Sequence, residues 1–495
     1  MHLSGRRVLV VGLGKTGVAT ARFLAERGSH VLIADEKPAS ELGDAVHALG
    51  DMNVDLELGK HNPHILSHID IVVPSPGVPP FNYLLAGARK KEIPILSEIE
   101  LAYRFIRKPI IAITGTNGKT TTTKLIGHML LQSGKKTFVG GNIGNPLIDF
   151  VNGKQEEDYL VVEISSFQLQ WTHLFRPHIS VLLNISNDHL DYHKTFEEYR
   201  AAKEMLFANQ VEGDLAVLNA GDQHSVYLSK KIMADVKYFS SSTTLEEGIF
   251  IDNTVLRYRD REGRDEDYAL ENIKLQGKHN IENIMASILV SRQCGCPPDR
   301  IKKTLEVFES LPHRMEFIEE VDGVEFYNDS KGTNIDAVKR ALEAFSKPVI
   351  LLLGGRNKGG DFKVLSRLIR ERVKELVLFG EARKEINELV GGIVKTKIAE
   401  NLRESTYVAW KDSSAGDVVL LSPGCASFDE FTNYEERGSF FKDLVRGIEG
   451  KGQRIKDQGT RNKEQGSRNK EQGSRNKDQG TRIKDQGSRI REGGR

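Results

Sequence analysis

Net charge, cysteine and long apolar runs are what this 495-residue chain has least of. Its 70 lysines and arginines against 69 aspartates and glutamates leave +1 at neutral pH. That balance argues against a dedicated nucleic-acid binder, whose surface needs a basic excess. The cysteines are Cys294, Cys296 and Cys425, an odd and sparse set that suits a reducing cytosol rather than a disulfide framework. Cys294 and Cys296 have no second ligand pair nearby, so a loop with free thiols is expected there instead of a zinc site. The longest apolar runs, such as Val349-Ile350-Leu351-Leu352-Leu353, are of strand length and far below the roughly 20 residues of a membrane helix. Strand signals begin at Arg7, leaving no room for a signal peptide.

What the chain has instead is alternation of strand and helix. Arg7-Val8-Leu9-Val10-Val11 reads as a strand, 15–27 as a helix and His30-Val31-Leu32-Ile33-Ala34 as the next strand, a parallel α/β rhythm. A second unit begins near Ile110, with strands expected over 159–164, 179–185 and 215–218. A third follows Leu311-Pro312, with strands near 324–327, 349–353, 376–379 and 418–421. Domains are expected over 1–97, 98–311 and 312–447. From Arg454 the chain runs as seven-residue units such as Arg-Asn-Lys-Glu-Gln-Gly-Ser. A glycine in every unit and no apolar pair disfavour a coiled coil, so 448–495 is expected to be a disordered low-complexity tail.

One segment carries specific chemistry. Pro109-Ile110-Ile111-Ala112-Ile113 reads as a buried strand, and it runs through Thr114-Gly115-Thr116-Asn117-Gly118-Lys119-Thr120-Thr121 into an amphipathic helix. A strand, a glycine turn and a helix N-terminus form a polyphosphate cradle. Backbone N–H groups and the helix dipole meet the anion, the lysine reaches the terminal phosphates, and the next hydroxyl can hold Mg²⁺. Ile113 stands where the general phosphate-loop pattern has its first glycine. The strand after it ends in Glu163, and the next ends in Asn184-Ile185-Ser186-Asn187-Asp188-His189. Strand ends are where an α/β sheet places its ligands, so Glu163 and His189 are candidates for the Mg²⁺ site or its surroundings. Thr195-x-x-Glu198 fits a capping box opening a helix, and on that helix Lys203 shares the apolar stripe of Phe196, Tyr199, Leu206 and Phe207. An inward lysine either snorkels or is chemically changed: a carbamate formed with CO₂ would make it an anion with two hard oxygens. Periodicity leaves both readings open.

Two other strings invite different functions. Gly12-x-Gly14-x-x-Gly17 after a strand, with Asp35 ending the next, is by itself a dinucleotide fingerprint and would predict an NAD-dependent oxidoreductase. Nothing downstream looks like hydride-transfer machinery. Asn357-Lys358-Gly359-Gly360-Asp361 echoes a GTPase base-reading string but is one residue too long.

Together with Glu163-x-Ser165-Ser166-Phe167-Gln168, Asn187-Asp188-His189-Leu190-Asp191, Tyr199-x-x-x-Lys203, His279-Asn280-x-x-Asn283, Pro312-His313-Arg314, Asp329-Ser330-Lys331-Gly332-Thr333-Asn334 and Ser422-Pro423-Gly424-Cys425-Ala426-Ser427, the phosphate loop resembles the Mur ligases of peptidoglycan synthesis. The resemblance covers 1 to about 447. It implies an α/β fold of three domains: N-terminal Rossmann-like, central P-loop ATPase-like and C-terminal Rossmann-like. Within the family the strings are most similar to the branch that adds D-glutamate to UDP-N-acetylmuramoyl-L-alanine through an acyl phosphate. Another amino-acid-adding member or a folylpolyglutamate synthase is the runner-up.

The resemblance also implies roles. Gly115, Thr116, Asn117, Gly118, Lys119, Thr120, Thr121, Asn283, Arg314, Asp329 and Lys331 would bind ATP. Gly14, Lys15, Thr16, Asp35, Ser75, Gly77, Asn142, Ser165 and His189 would bind the UDP-sugar substrate, and Thr333, Lys358, Ser427 and Tyr434 would hold D-glutamate. Thr120, Glu163, His189 and Lys203 would hold two Mg²⁺ ions, with Lys203 carbamylated, and Lys119, Glu163, His189 and Lys203 would be catalytic. The family more often has alanine at Gly332 and Gly424 and phenylalanine at Tyr434. A cytoplasmic monomer with no nucleic-acid partner and no membrane insertion is implied as well.

Overall fold

The computed structural model describes residues 1–59, 64–275, 278–309 and 311–448; the heptapeptide tail lies outside them. Three sheets follow one another along the chain. The first has β1 (Arg7–Val11), β2 (His30–Asp35), β3 (Val54–Leu58) and β4 (Ile71–Pro74) in the order β3-β2-β1-β4, all parallel. The second has β5 (Ile110–Thr114), β6 (Thr137–Gly141), β7 (Tyr159–Glu163), β8 (Ile179–Leu182), β9 (Leu215–Asn219), β10 (Asp235–Ser240), β11 (Gly248–Asp252), β12 (Val255–Arg259) and β13 (Asp265–Ala269), ordered β13-β12-β11-β10-β9-β8-β5-β7-β6. Only the β11-β12-β13 meander is antiparallel. The third has β14 (Glu316–Val321), β15 (Val324–Asn328), β16 (Val349–Gly354), β17 (Val373–Phe379), β18 (Lys395–Ile398) and β19 (Val418–Gly424), ordered β14-β15-β19-β16-β17-β18.

Each sheet has a point where strand order reverses, and there the strand ends open a crevice. β1 lies between β2 and β4, so the glycine turn after β1 meets the loop after β4: Ser75 Oγ donates to Gly12 O at 2.8 Å. β5 lies between β7 and β8, which brings the phosphate loop between Glu163 and Asn184. β19 lies between β15 and β16, so the loops starting at Asp329, Gly355 and Cys425 converge. The central strands β5, β8, β16 and β19 are buried along their whole length. That is why they read in the sequence as continuous apolar runs rather than alternating ones.

The cysteines are free, and Cys294 and Cys296 lie as expected in a loop, between the helices Lys278–Gln293 and Pro298–Val307. Cys294 and Cys296 are buried under the helix Lys119–Gln132, and burial pushes the Cys294 thiol up to about 12. No helix among the described residues is long and apolar enough to cross a membrane.

The helix Glu98–Tyr103 joins the first two sheets and buries two carboxylates with different support. Glu100 Oε2 accepts from the backbone N–H groups of His173, Leu174 and Phe175, and Oε1 from Arg104. Glu98 Oε1 accepts from Ile148 N at 2.6 Å, but its Oε2 is buried without a partner. Burial therefore raises the Glu98 carboxyl to about 7. A raised folded value means stability that is present when the group is protonated and lost as pH rises between 4.5 and about 7. Glu98→Gln keeps the Ile148 bond, so it should be neutral near pH 4 and stabilising by about 3 kcal/mol at pH 8 in denaturant titrations. Glu100→Ala should instead cost about 3–5 kcal/mol at both pH values, because it strands three buried N–H donors and a guanidinium.

Candidate active site

The phosphate loop takes its shape from two glycines in the left-handed region, Gly115 at φ +154° and Gly118 at φ +90°. A Cβ on Gly118 would lie 2.1 Å from Asn283 Oδ1, so the helix Lys278–Gln293 seats Asn283 directly on the loop. Lys119 folds back and donates to Gly115 O at 2.7 Å and Thr116 O at 2.9 Å. Lys203, 1% exposed on the helix Phe196–Glu204, donates to the same Gly115 O at 2.9 Å. Thr195 caps that helix by accepting from Glu198 N at 3.2 Å. Two buried ammonium groups thus share one carbonyl, and their partners are backbone and hydroxyl oxygens rather than carboxylates. Burial lowers the affinity of both for a proton, most strongly at Lys203. The inward position expected from periodicity is present, and it is not a snorkel.

The acids stand on the facing strand ends. Glu163 Oε1 accepts from Asn142 Nδ2 at 2.9 Å, while Oε2 is buried and unpartnered. Thr120 Oγ1 accepts from Lys331 Nζ at 2.7 Å, a contact made across the second and third sheets. An unpaired carboxylate oxygen and a hydroxyl, together with the oxygens of a bound phosphate, would form a hard-oxygen donor set that suits Mg²⁺. Among the described residues no group of three or more His, Cys, Asp and Glu side chains could hold a metal ion by itself, so such a site needs oxygens from substrate or from a modified lysine. His189, at φ +54°, packs edge-on to Phe167 at 4.7 Å. Burial pushes its imidazole down to about 3, with Lys358, Lys119 and Lys203 adding to the fall and Asp188 only partly opposing it. It is a neutral ligand-type nitrogen at physiological pH.

Asp188, quoted in the sequence string but given no role there, is the node between the central and C-terminal sheets. It accepts from Lys358 Nζ at 3.2 Å and from Asn334 Nδ2 at 2.9 Å. Burial opposes its charge, but Lys358, His189 and Asn334 hold its carboxyl well below the usual range. Asp188, Thr333, Asn334 and Lys358 line a cavity of about 310 Å³. Ser427 and Tyr434 are not among its lining residues. The Ser427 carbonyl accepts from Phe431 N, and the Tyr434 ring lies 5.1 Å from Lys331 Nζ, with its carbonyl accepting from Ser330 Oγ. Arg437, also missed from the sequence, is 1% exposed and ties Ser330 to Cys425 O. It stands in the charged string Glu435-Glu436-Arg437, which reads as surface. Asp329 is buried and raised to about 6 by burial, accepting from Ser422 Oγ at 2.8 Å. With Asn117, Gly118, Asn283 and Arg314 it borders a narrow gap of about 20 Å³.

In the first sheet Asp35 Oδ2 accepts from Leu13 N at 2.7 Å, so it fixes the glycine turn that precedes Gly14 and Thr16. Gly17 is required for packing, since a Cβ there would sit 2.1 Å from Gly12 O. Lys15 Nζ reaches the central unit at Gly144 O, 2.6 Å away and next to the loop of Asn142. Ser165 caps the helix Ser166–Leu169 in a capping box with Gln168, and Gly77 follows Ser75 in the turn after β4.

Profiles described as Mur ligase MurD-like, N-terminal domain, Mur ligase middle domain, and Mur ligase, glutamate ligase domain match residues 6–97, 113–291 and 313–425. A UDP-N-acetylmuramoylalanine--D-glutamate ligase of Syntrophus aciditrophicus is 53% identical over 449 residues, covering 90% of this chain and 99% of that protein. The protein of the same name from Koribacter versatilis is 45% identical, covering 90% and 98%. Among solved structures, a pseudomurein peptide ligase type C from Methanothermus fervidus has TM-score 0.58 at 17% identity, covering 90% of this chain and 100% of that one. The UDP-N-acetylmuramate-alanine ligase of Thermotoga maritima has TM-score 0.57 at 19% identity, with coverage of 90% and 100%. Identity of this extent over nearly the whole length of its relatives establishes that the chain belongs to the Mur ligase family.

Proposed function

We propose that this chain is an ATP-dependent, ADP-forming ligase that joins D-glutamate to UDP-N-acetylmuramoyl-L-alanine in peptidoglycan precursor synthesis. The observation that carries the reading is the pair of buried lysines on Gly115 O facing the unpartnered oxygen of Glu163. Lys119 offers a polyphosphate its cation there, and Lys203, once carbamylated, would offer a metal ion its oxygens beside Glu163. The relatives that carry this activity in their names support the choice of substrates. We assign the UDP-substrate domain to 1–97, the ATP domain to 98–311 and the amino-acid domain to 312–447.

In this reading Lys119 turns from its own loop to the terminal phosphates, and the loop N–H groups of Gly115–Thr121 cradle them. Thr120 and Glu163 would hold one Mg²⁺, and His189 with Lys203 in its carbamylated form a second, and the ions would neutralise charge on the phosphoryl oxygens. Burial lowers the affinity of the Lys203 amine for a proton, which favours the free-amine form that adds to CO₂ with release of a proton. Asn142 and His189 orient the muramoyl-alanine carboxylate, which takes the γ-phosphoryl group and releases ADP. The amine of D-glutamate then attacks the acyl carbon, phosphate leaves, and the amine proton is lost. Thr333 and Lys358 take up the D-glutamate carboxylates, with Ser427 and Tyr434 at the outer edge. Asp35, Ser75, Gly77, Ser165 and the turn of Gly14, Lys15 and Thr16 hold the UDP end. Asn283, Arg314, Asp329 and Lys331 hold the nucleoside and phosphates.

Phosphate release from ATP in the presence of UDP-N-acetylmuramoyl-L-alanine should appear with D-glutamate and not with L-alanine, L-glutamate or a diamino acid. Release with one of those others instead would overturn the named activity. Lys203→Ala should lower kcat by about a thousandfold or more, and millimolar short-chain carboxylic acids should restore part of it. An alanine variant with full activity would remove the carbamate role.

A further inference from the structure

The helix Ile335–Glu343 of the C-terminal unit makes a set of contacts that no step above uses. Asp336 Oδ2 accepts from Asn117 Nδ2 of the phosphate loop at 2.9 Å and from Arg340 Nε, one turn further on, at 2.9 Å. Arg340 then reaches the central unit, where Nη1 lies 3.5 Å from Glu282 Oε2, and Glu282 Oε1 accepts from Ser241 Oγ at 2.9 Å. The path Ser241–Glu282–Arg340–Asp336–Asn117 thus crosses between the two units twice. Burial works against the Arg340 charge, but Asp336 and Glu282 overrule it and raise the guanidinium.

Two features argue that this network is made to open. The Arg340–Glu282 contact is long and its side chains are 26% and 17% exposed, and ion pairs of that kind add about 1 kcal/mol or less to folding. Arg340, Ala337 and Ala341 also form one wall of the gap whose other side is Asn283 and Gly118. At about 20 Å³ the gap admits roughly one water, so a purine base does not fit there with Arg340 and this helix as placed.

We propose that Arg340 is a positioning residue that latches the helix Ile335–Glu343 over bound nucleotide: parting of Arg340 from Glu282 admits ATP and frees ADP, and re-forming it carries Asp336, and through it Asn117, into place on the phosphate loop. This rests on the ATP reading above. The guanidinium fork meets the two carboxylates through separate nitrogens, Nε to Asp336 and Nη1 to Glu282.

The test uses the full chain with Arg340→Ala, Arg340→Lys, Glu282→Gln and the Arg340→Ala/Glu282→Gln double variant. The release rate of a fluorescent ADP analogue with Mg²⁺, KM for ATP, KM for the UDP substrate and Tm are measured. Arg340→Ala should release ADP about tenfold faster and raise KM for ATP by a similar factor, the equivalent of one charge-assisted hydrogen bond. KM for the UDP substrate and Tm should stay at wild-type values. Arg340→Lys should recover part of the effect, and the double variant should be no faster than Arg340→Ala alone. Unchanged ADP release, or a loss spread equally over all substrates with a lowered Tm, would overturn the latch. Wild-type protein that binds no ADP would sink the nucleotide reading itself, and the latch with it.

Discussion

The carbonyl of Gly115 accepts hydrogen bonds from two buried ammonium groups, Lys119 and Lys203, and the rest of the site is arranged around that crowding of cations. Removing an ammonium from water is costly unless an anion or several oxygens replace its hydration. Here the oxygens of Thr114, Gly115 and Thr116 do so in part. Glu163 is close enough to raise the affinity of both lysines for a proton, but burial wins at each. The centre is therefore held together by the backbone of a loop that only glycine can trace, and it is short of negative charge. In the proposed reading a polyphosphate would supply the missing charge.

The same constraint explains why the second and third sheets are tied at the site. Lys331 reaches Thr120, and Lys358 and Asn334 reach Asp188. These donors come from the segments after β15 and β16, which flank β19 at the point where strand order reverses. Each pairs with an oxygen that substrate or metal would compete for. In the proposed reading the contacts that close the structure are drawn from groups that ligands would use, so binding would exchange one set of partners for another. Lys358 illustrates this: it faces the cavity expected to hold an amino-acid carboxylate, and a carboxylate, that of Asp188, already meets it.

Much of this was legible in the sequence wherever one residue type had a single physical use. The buried strands β5, β8, β16 and β19 read correctly because central parallel strands are continuous apolar runs. The phosphate loop was readable because its glycines sit where side chains cannot. Lys203 announced itself as a charge on an apolar stripe. The meander β11-β12-β13 escaped because its cross-strand pairs are ionic, Arg257 with Asp267 and Arg259 with Asp265, so it reads as a polar loop. β6 escaped because it ends in Gly140-Gly141, which reads as a turn. Asp188, Asn334, Arg340 and Arg437 were not assigned because their partners lie far away in sequence and their immediate neighbours are polar. Ser427 and Tyr434 are not among the residues lining the Lys358 cavity because the loop after β19 and the helix Tyr434–Ile448 turn their backbone contacts elsewhere, which local pattern does not encode.

The central claim is that this cation-rich loop holds ATP with its terminal phosphoryl group against a carboxylate. Transfer of ¹⁸O tests it most directly. UDP-N-acetylmuramoyl-L-alanine labelled in both oxygens of its terminal carboxylate is turned over with ATP and D-glutamate, and the inorganic phosphate is analysed by mass. The account predicts one ¹⁸O atom in each phosphate released, because the acyl oxygen leaves with phosphorus. Phosphate without label, formed at the same rate as the amide, would contradict it.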